Sequence, residues 1–239
     1  MIYVMPDLHG QYEMYCRMLE KIEFTADDTL YLLGDLCDRG PDSAKLYLDV
    51  MSRKNVFSIK GNHELMAEQG LNFLLREVRA KEYDPNQLAY YTELNQWLKN
   101  GAATTLKSLF DCTQYERRQI LRFIEDLPYY RTVTVGDRQF VLVHAALPDF
   151  RADKPLNEYD TYKMVWDRDD FDLKLWDDPN KKLLIGHTPL VIYYPSYAQV
   201  KIYHGEGSII AMDCGAAYLE NRGRLACLCL DTMKEFYID

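Results

Sequence analysis

No stretch of this 239-residue chain approaches the roughly eighteen consecutive apolar residues of a membrane-spanning helix, so contact with a membrane is not expected. The opening Met1-Ile2-Tyr3-Val4-Met5 has no basic flank and runs straight into charged residues. A secretory signal is therefore not expected, and the cytoplasm is the expected compartment. CxxC pairs are missing too: Cys16, Cys37, Cys112, Cys214, Cys227 and Cys229 are scattered, which speaks against a zinc-finger site or a disulfide framework and for reduced, buried thiols. Basic charge is in deficit, with 28 Lys and Arg against 37 Asp and Glu, a formal net charge of −9. Such a surface repels the backbone of a long nucleic acid, yet it leaves small anionic substrates open, because bound divalent cations can reverse the sign locally. No internal repeat, low-complexity tract or linker breaks the chain, so a single domain over 1–239 is expected, and a monomer.

Apolar residues make up 48% of the chain, enough for a layered core. Ile2–Met5, Thr29–Leu33 and Val56–Ile59 are short apolar runs bounded by polar residues or glycine, the mark of buried strands. Between the first two, Tyr12, Cys16, Leu19 and Ile22 recur at helical spacing. After Pro41-Asp42-Ser43, Leu46 and Val50 continue a second helix to about Arg53. This βαβαβ order predicts an α/β fold with parallel strands. The segment from about 64 to 127 reads as a helical insert, broken near Asp84-Pro85 and Asn100-Gly101. Strands follow at Thr132–Val135, Gln139–Val143, Leu183–Ile185, Ser208–Met212 and Leu225–Leu230, the first two joined by a tight turn at Gly136-Asp137.

Each early strand runs into the same kind of punctuation: Pro6-Asp7-Leu8-His9-Gly10, then Gly34-Asp35-Leu36-Cys37-Asp38-Arg39-Gly40, then Gly61-Asn62-His63-Glu64. Carboxyl ends of neighbouring parallel strands share one crevice, so Asp7, His9, Asp35, Asp38, Asn62 and His63 are expected to meet there. His144 and His187 also end apolar runs, whereas the fifth histidine, His204, sits in a polar segment. Carboxylate, imidazole and amide oxygen together suit two divalent cations of the Mn²⁺, Fe²⁺ or Zn²⁺ type rather than calcium, with Asp35 placed to bridge them.

The succession Asp-x-His, Gly-Asp-x-x-Asp-Arg-Gly, Gly-Asn-His-Glu, His and Gly-His-Thr resembles the phosphoprotein phosphatase branch of the calcineurin-like metallophosphoesterases. That branch includes bacterial and phage serine/threonine phosphatases and symmetrical dinucleoside tetraphosphatases. The resemblance runs from Asp7 to about Asp231. It implies a four-layer α-β-β-α sandwich, two mixed sheets flanked by helices. It further implies Asp7 and His9 as ligands of one metal, Asp35 as the bridge, and Asn62, His144 and His187 as ligands of the other. By the same resemblance His63 is the general acid with Asp38 holding its ring, and Arg39 and Arg168 are the arms of a phosphate clamp. Pro6 departs from the Gly or Ser that commonly precedes the first Asp of the family, and it removes a backbone donor from that loop.

The chemistry such a set supports is in-line attack on phosphorus by a water activated between two cations roughly 3.5–4 Å apart. The clamp neutralises the phosphoryl oxygens and His63 protonates the departing alkoxide. A phosphorylated protein bearing phosphoserine or phosphothreonine is the first expected substrate and a dinucleoside polyphosphate the second. An inactive binding scaffold is the third reading, opposed by the completeness of the ligand set. Glu64 reads as a structural acceptor at a helix start, and Cys37 as a buried neighbour of the ligands. Tyr90, Tyr91 and Trp97 read as packing residues in an insert that shapes the pocket walls. Tyr218 has no assigned role.

Overall fold

The computed structural model describes residues 1–75, 87–194 and 199–239. In chain order the elements are β1 (Ile2–Met5), α1 (Tyr12–Lys21), β2 (Thr29–Leu32), α2 (Ser43–Ser52), β3 (Val56–Ser58), α3 (Asn62–Leu75), α4 (Gln87–Lys99), α5 (Ala102–Phe110), α6 (Gln114–Asp126), β4 (Tyr130–Val135), β5 (Arg138–Val143), α7 (Thr161–Trp166), β6 (Lys181–Ile185), β7 (Tyr203–His204), β8 (Ile209–Ala211), β9 (Leu225–Cys229) and β10 (Glu235–Ile238). They form two five-stranded sheets, β10-β9-β1-β2-β3 and β4-β5-β6-β8-β7. Both are mixed. β1, β2 and β3 run parallel with β9 antiparallel beside β1, and β5, β6 and β8 run parallel between antiparallel β4 and β7.

Alternation along the strands decides what each face meets. On β1 and β9, Val4, Ala226 and Leu228 pack with Phe140, Leu142, Leu184 and Ile210 of the second sheet, forming the core between the sheets. Their neighbours Tyr3, Met5, Leu225, Cys227 and Cys229 face the other way, onto Tyr15, Met18 and Leu19 of α1. Cys227 and Cys229 thus share one strand face, as their spacing predicts. All six cysteines are free, but Cys16 and Cys112 are only half-buried, because they lie at the margin of the helical layer.

The predicted hairpin is present, with Val135 opposite Arg138 and Gly136 at φ 62°. The insert breaks where Asn100-Gly101 predicts, Gly101 standing at φ 104° between α4 and α5. The predicted break at Asp84-Pro85 and the side chain of Tyr90 lie outside the described residues. Three elements go beyond the sequence expectation. β7 is only two residues long, β10 is a half-buried edge strand, and α7 is a six-residue helix capped by Asp160, whose carboxylate accepts from the Tyr162 and Lys163 N–H groups. His204 consequently lies on a strand, its ring paired with Glu235 at 2.7 Å. No described helix is long and apolar enough to cross a membrane.

Candidate active site

Six strands, three running parallel in each sheet, end at one crevice. β1 leads to Asp7 and His9, β2 to Asp35 and Asp38, β3 to Asn62 and His63, β5 to His144, β6 to His187 and β8 to Asp213. The turns are tight enough to force His9, Asp35, Asp38, Arg39 and His187 into positive φ, between 43° and 71°. Non-glycine residues in that region cost on the order of 1 kcal/mol each and are held there by their surroundings.

Glu64 supplies much of the holding. Its buried carboxylate accepts from the backbone N–H groups of Asp35 (2.7 Å), Leu36 (2.8 Å) and Gly61 (3.0 Å) and from the Tyr47 hydroxyl (2.9 Å). The β2 and β3 loops are thereby stapled together, the structural role expected of this residue. Gly61 must be glycine at that junction, since a Cβ there would stand 2.2 Å from Asp35 Oδ1.

Asp35 lies at the centre. Its Oδ2 is 3.7 Å from His9 Nε2 and 3.8 Å from His63 Nε2, and its Oδ1 is 3.4 Å from His144 Nε2. One carboxylate therefore joins two groups with metal-ligand spacing, His9–Asp35–His63 and Asp35–His144–His187. Asn62 belongs with the second group, its Oδ1 standing 2.9 Å from both His144 Nε2 and His187 Nδ1. Asp7 accepts the His187 backbone N–H at 3.0 Å. The rings are oriented from behind: His9 Nδ1 donates to the Cys37 carbonyl at 2.9 Å, His144 Nδ1 to the Leu33 carbonyl at 2.7 Å, and His63 Nδ1 to Asp38 at 2.6 Å. Backing of this kind selects the tautomer and turns Nε2 inward, as in metal-binding histidines generally.

Two properties of these residues suit divalent cations. His187 Nε2 is buried with no hydrogen-bond partner among the described residues. Asp7 and Asp213 are buried near one another. Burial and the Asp213 charge hold the Asp7 carboxyl well above the usual carboxylate range, and burial pushes Asp213 up to about 6. Cations beside them would relieve both penalties. The histidines separate in the same field. Burial opposes charge on His144, yet Asp35 outweighs it and raises that ring to about 10. Burial and the neighbouring His144 lower His187 to about 3.

Arg39 spans the first group, Nη1 donating to His9 Nε2 at 2.8 Å and Nη2 to His63 Nε2 at 3.0 Å, with its guanidinium 5.5 Å from the Tyr218 ring centroid. Arg168 is exposed, and its Nε donates to the Thr188 hydroxyl at 3.3 Å, next to His187. Asp38 does not pair with its neighbour Arg39. Its carboxylate instead accepts from His63, from the Trp97 indole and from the Thr105 hydroxyl. Cys37 is fully buried, and burial holds its thiol well above its ordinary value, which leaves it a poor nucleophile.

Asp213, Tyr218, Trp97 and Thr105 complete the surroundings, none of them having a role in the site assigned from sequence. Asp213 obeys the strand-end rule that located the others and was readable by it. Trp97 is buried as expected of a packing residue, but its indole N–H also reaches the site. Tyr91 is exposed and stands edge-on to Phe73.

Two mixed sheets meeting at a pair of histidine-carboxylate groups define the metallophosphoesterase fold with a candidate binuclear metal site. The chain belongs to the calcineurin-like phosphoesterases, the family model matching residues 1–222. It is 29% identical over 149 residues to serine/threonine-protein phosphatase 2 of Escherichia coli, covering 62% of this chain and 59% of that protein. It is 45% identical over 65 residues to the symmetrical bis(5'-nucleosyl)-tetraphosphatase of Salmonella paratyphi B, covering 26% of this chain and 23% of that one. The chain thus spans less than two thirds of either relative. A solved structure of a candidate diadenosine tetraphosphatase superposes with a TM-score of 0.63 at 14% identity, covering 99% of this chain and 92% of that one.

Proposed function

We propose that this chain hydrolyses phosphate monoesters of serine or threonine in proteins. The observation that carries the proposal is Asp35 shared between two histidine groups, with Arg39 spanning one of them. Asp7, His9, Asp35, Asn62, His144 and His187 would hold two divalent ions, manganese first and iron or zinc as alternatives. When bound, the ions supply Lewis acidity and an activated water. Arg39 turns from the two imidazoles to the phosphoryl oxygens, and Arg168 closes on them from the Thr188 side. Asp38 orients the ring of His63 through Nδ1–H, and once Arg39 has left it, Nε2 takes up a proton from solvent and passes it to the departing seryl or threonyl oxygen. The choice of a phosphoprotein follows the longer of the two sequence likenesses. The reducing cytoplasm is the compartment we propose.

A second reading, hydrolysis of dinucleoside polyphosphates, is favoured by one feature. A recess of about 380 Å³ lined by Phe171, Leu190, Tyr193, Tyr194 and Tyr203, with Asp170 and Asp172 at its edge, opens shortly after Arg168 and His187 in the chain. Aromatic walls with carboxylate acceptors suit a nucleobase. Parallel assays on a phosphoserine peptide and on diadenosine tetraphosphate, each with Mn²⁺, Fe²⁺ and Zn²⁺, separate the two. Turnover of the peptide supports the first, and exclusive cleavage of the nucleotide overturns it in favour of the second.

A further inference from the structure

Asp38 is fully buried, and its carboxylate is saturated by donors from two distant parts of the chain. Oδ2 takes His63 Nδ1–H at 2.6 Å and Trp97 Nε1–H at 2.8 Å, and Oδ1 lies 3.1 Å from the same indole nitrogen and takes the Thr105 hydroxyl at 2.6 Å. The Thr105 oxygen also accepts the Asp38 backbone N–H at 2.8 Å and touches the Ser43 hydroxyl at 3.1 Å. Trp97 and Thr105 lie 59 and 67 residues from Asp38 in sequence, on α4 and α5. At the turn between those helices, the Gly101 carbonyl accepts the Arg39 N–H at 3.2 Å. The insert therefore grips Asp38 and its neighbour at three points along one edge.

We propose that Trp97 and Thr105 are positioning residues, fixing the Asp38 carboxylate and through it the ring of His63. The proposal rests on His63 acting as proton donor. The terminal torsion of an aspartate is soft, so His63 alone does not set where Oδ2 points. One neutral donor on each carboxylate oxygen removes that freedom, while leaving Oδ2 able to take the imidazole N–H as well. Indole suits the task because it donates and cannot accept, so it cannot compete with Asp38 for the imidazole proton. A further residue is fitted to it. A Cβ on Gly70 of α3 would stand 2.2 Å from the Trp97 ring, so the helix carries a glycine where the indole lies. Glycine inside a helix is destabilising relative to alanine, and close packing on Trp97 accounts for its presence here.

The test compares Trp97→Phe, Thr105→Val and Thr105→Ser in the full chain with manganese. A displaced proton donor harms substrates with poor leaving groups and spares those with good ones. The expected result for the first two variants is a fall in kcat of about 10–100-fold on a phosphoserine peptide, below the 10²–10⁴ of complete acid loss. On p-nitrophenyl phosphate little change is expected, with KM and metal content unaltered. Thr105→Ser restores the rate, and in a His63→Ala background Trp97→Phe adds nothing. Equal losses on both substrates, or additive losses in the double variant, would overturn the proposal. An independent readout is the low-field Nδ1–H proton of His63 in the NMR spectrum of the protein without added metal. It should move upfield or exchange away in Trp97→Phe and Thr105→Val, and an unchanged resonance also overturns the proposal. Should His63→Ala itself spare turnover of the peptide, the acid role of His63 fails, and positioning then stands or falls on that resonance.

Discussion

Asp35 Oδ1 lies 3.4 Å from Nε2 of His144, two buried groups joined across the two sheets. The other oxygen of the same carboxylate faces His9 and His63. An amide at this position would keep the shape and lose the charge that both histidine groups share. Asp35→Asn is therefore expected to abolish binding of at least one of two Mn²⁺ ions, read by elemental analysis. Lost Lewis acidity is worth several kcal/mol, so the proposed hydrolysis should slow about a hundredfold or more. Full activity in this variant would exclude a bridging role.

The raised pKa of His144 has a definite sign in metal uptake. Burial opposes the ring's charge, but Asp35 holds the proton to about 10, and a ligand imidazole must give it up. Binding at neutral pH is expected to release a proton from His144, and affinity should climb with pH until about 10. Calorimetry in two buffers of different ionisation enthalpy measures this directly. In the protein without metal the sign reverses: the pair with Asp35 contributes its full stability below the unfolded histidine value near 6.5 and loses it as pH rises through about 10.

His63 stands within ligand distance of the first group, so its role as acid rather than ligand needs its own experiment. His63→Ala should lower kcat on a phosphoserine peptide by roughly 10²–10⁴ while both metal ions stay bound. Loss of an ion would instead make His63 a ligand.

Glu64 touches none of the candidate ligand side chains and is expected to act on stability. Glu64→Ala leaves three buried N–H groups and the Tyr47 hydroxyl without their acceptor. At about 1–3 kcal/mol for each buried group left unsatisfied, the total exceeds about 3 kcal/mol. Tm should drop by roughly 6–12 °C or more in thermal unfolding.

Strand ends were the legible part of this molecule. An apolar run that stops at Asp, Asn or His marks both an element and a side chain at the crevice, and that single rule locates Asp7, Asp35, Asn62, His144 and His187. Applied to the run ending at Met212, it also reaches Asp213. The grip on Asp38 was not legible in the same way. Trp97 and Thr105 lie in amphipathic helices where a buried Trp or Thr reads as packing, and nothing in local spacing ties them to a carboxylate 59 or 67 residues earlier. β10 escaped notice because an edge strand buries too little on either face to show a clean alternation.

Electron paramagnetic resonance of the manganese-loaded protein, read together with metal stoichiometry, reports whether the two ions share a ligand. Asp35 serving both histidine groups requires two ions per chain and the multiline signal of an exchange-coupled pair, reduced to isolated ions or none in Asp35→Asn. One uncoupled ion in the wild-type chain, unchanged by that substitution, would contradict it.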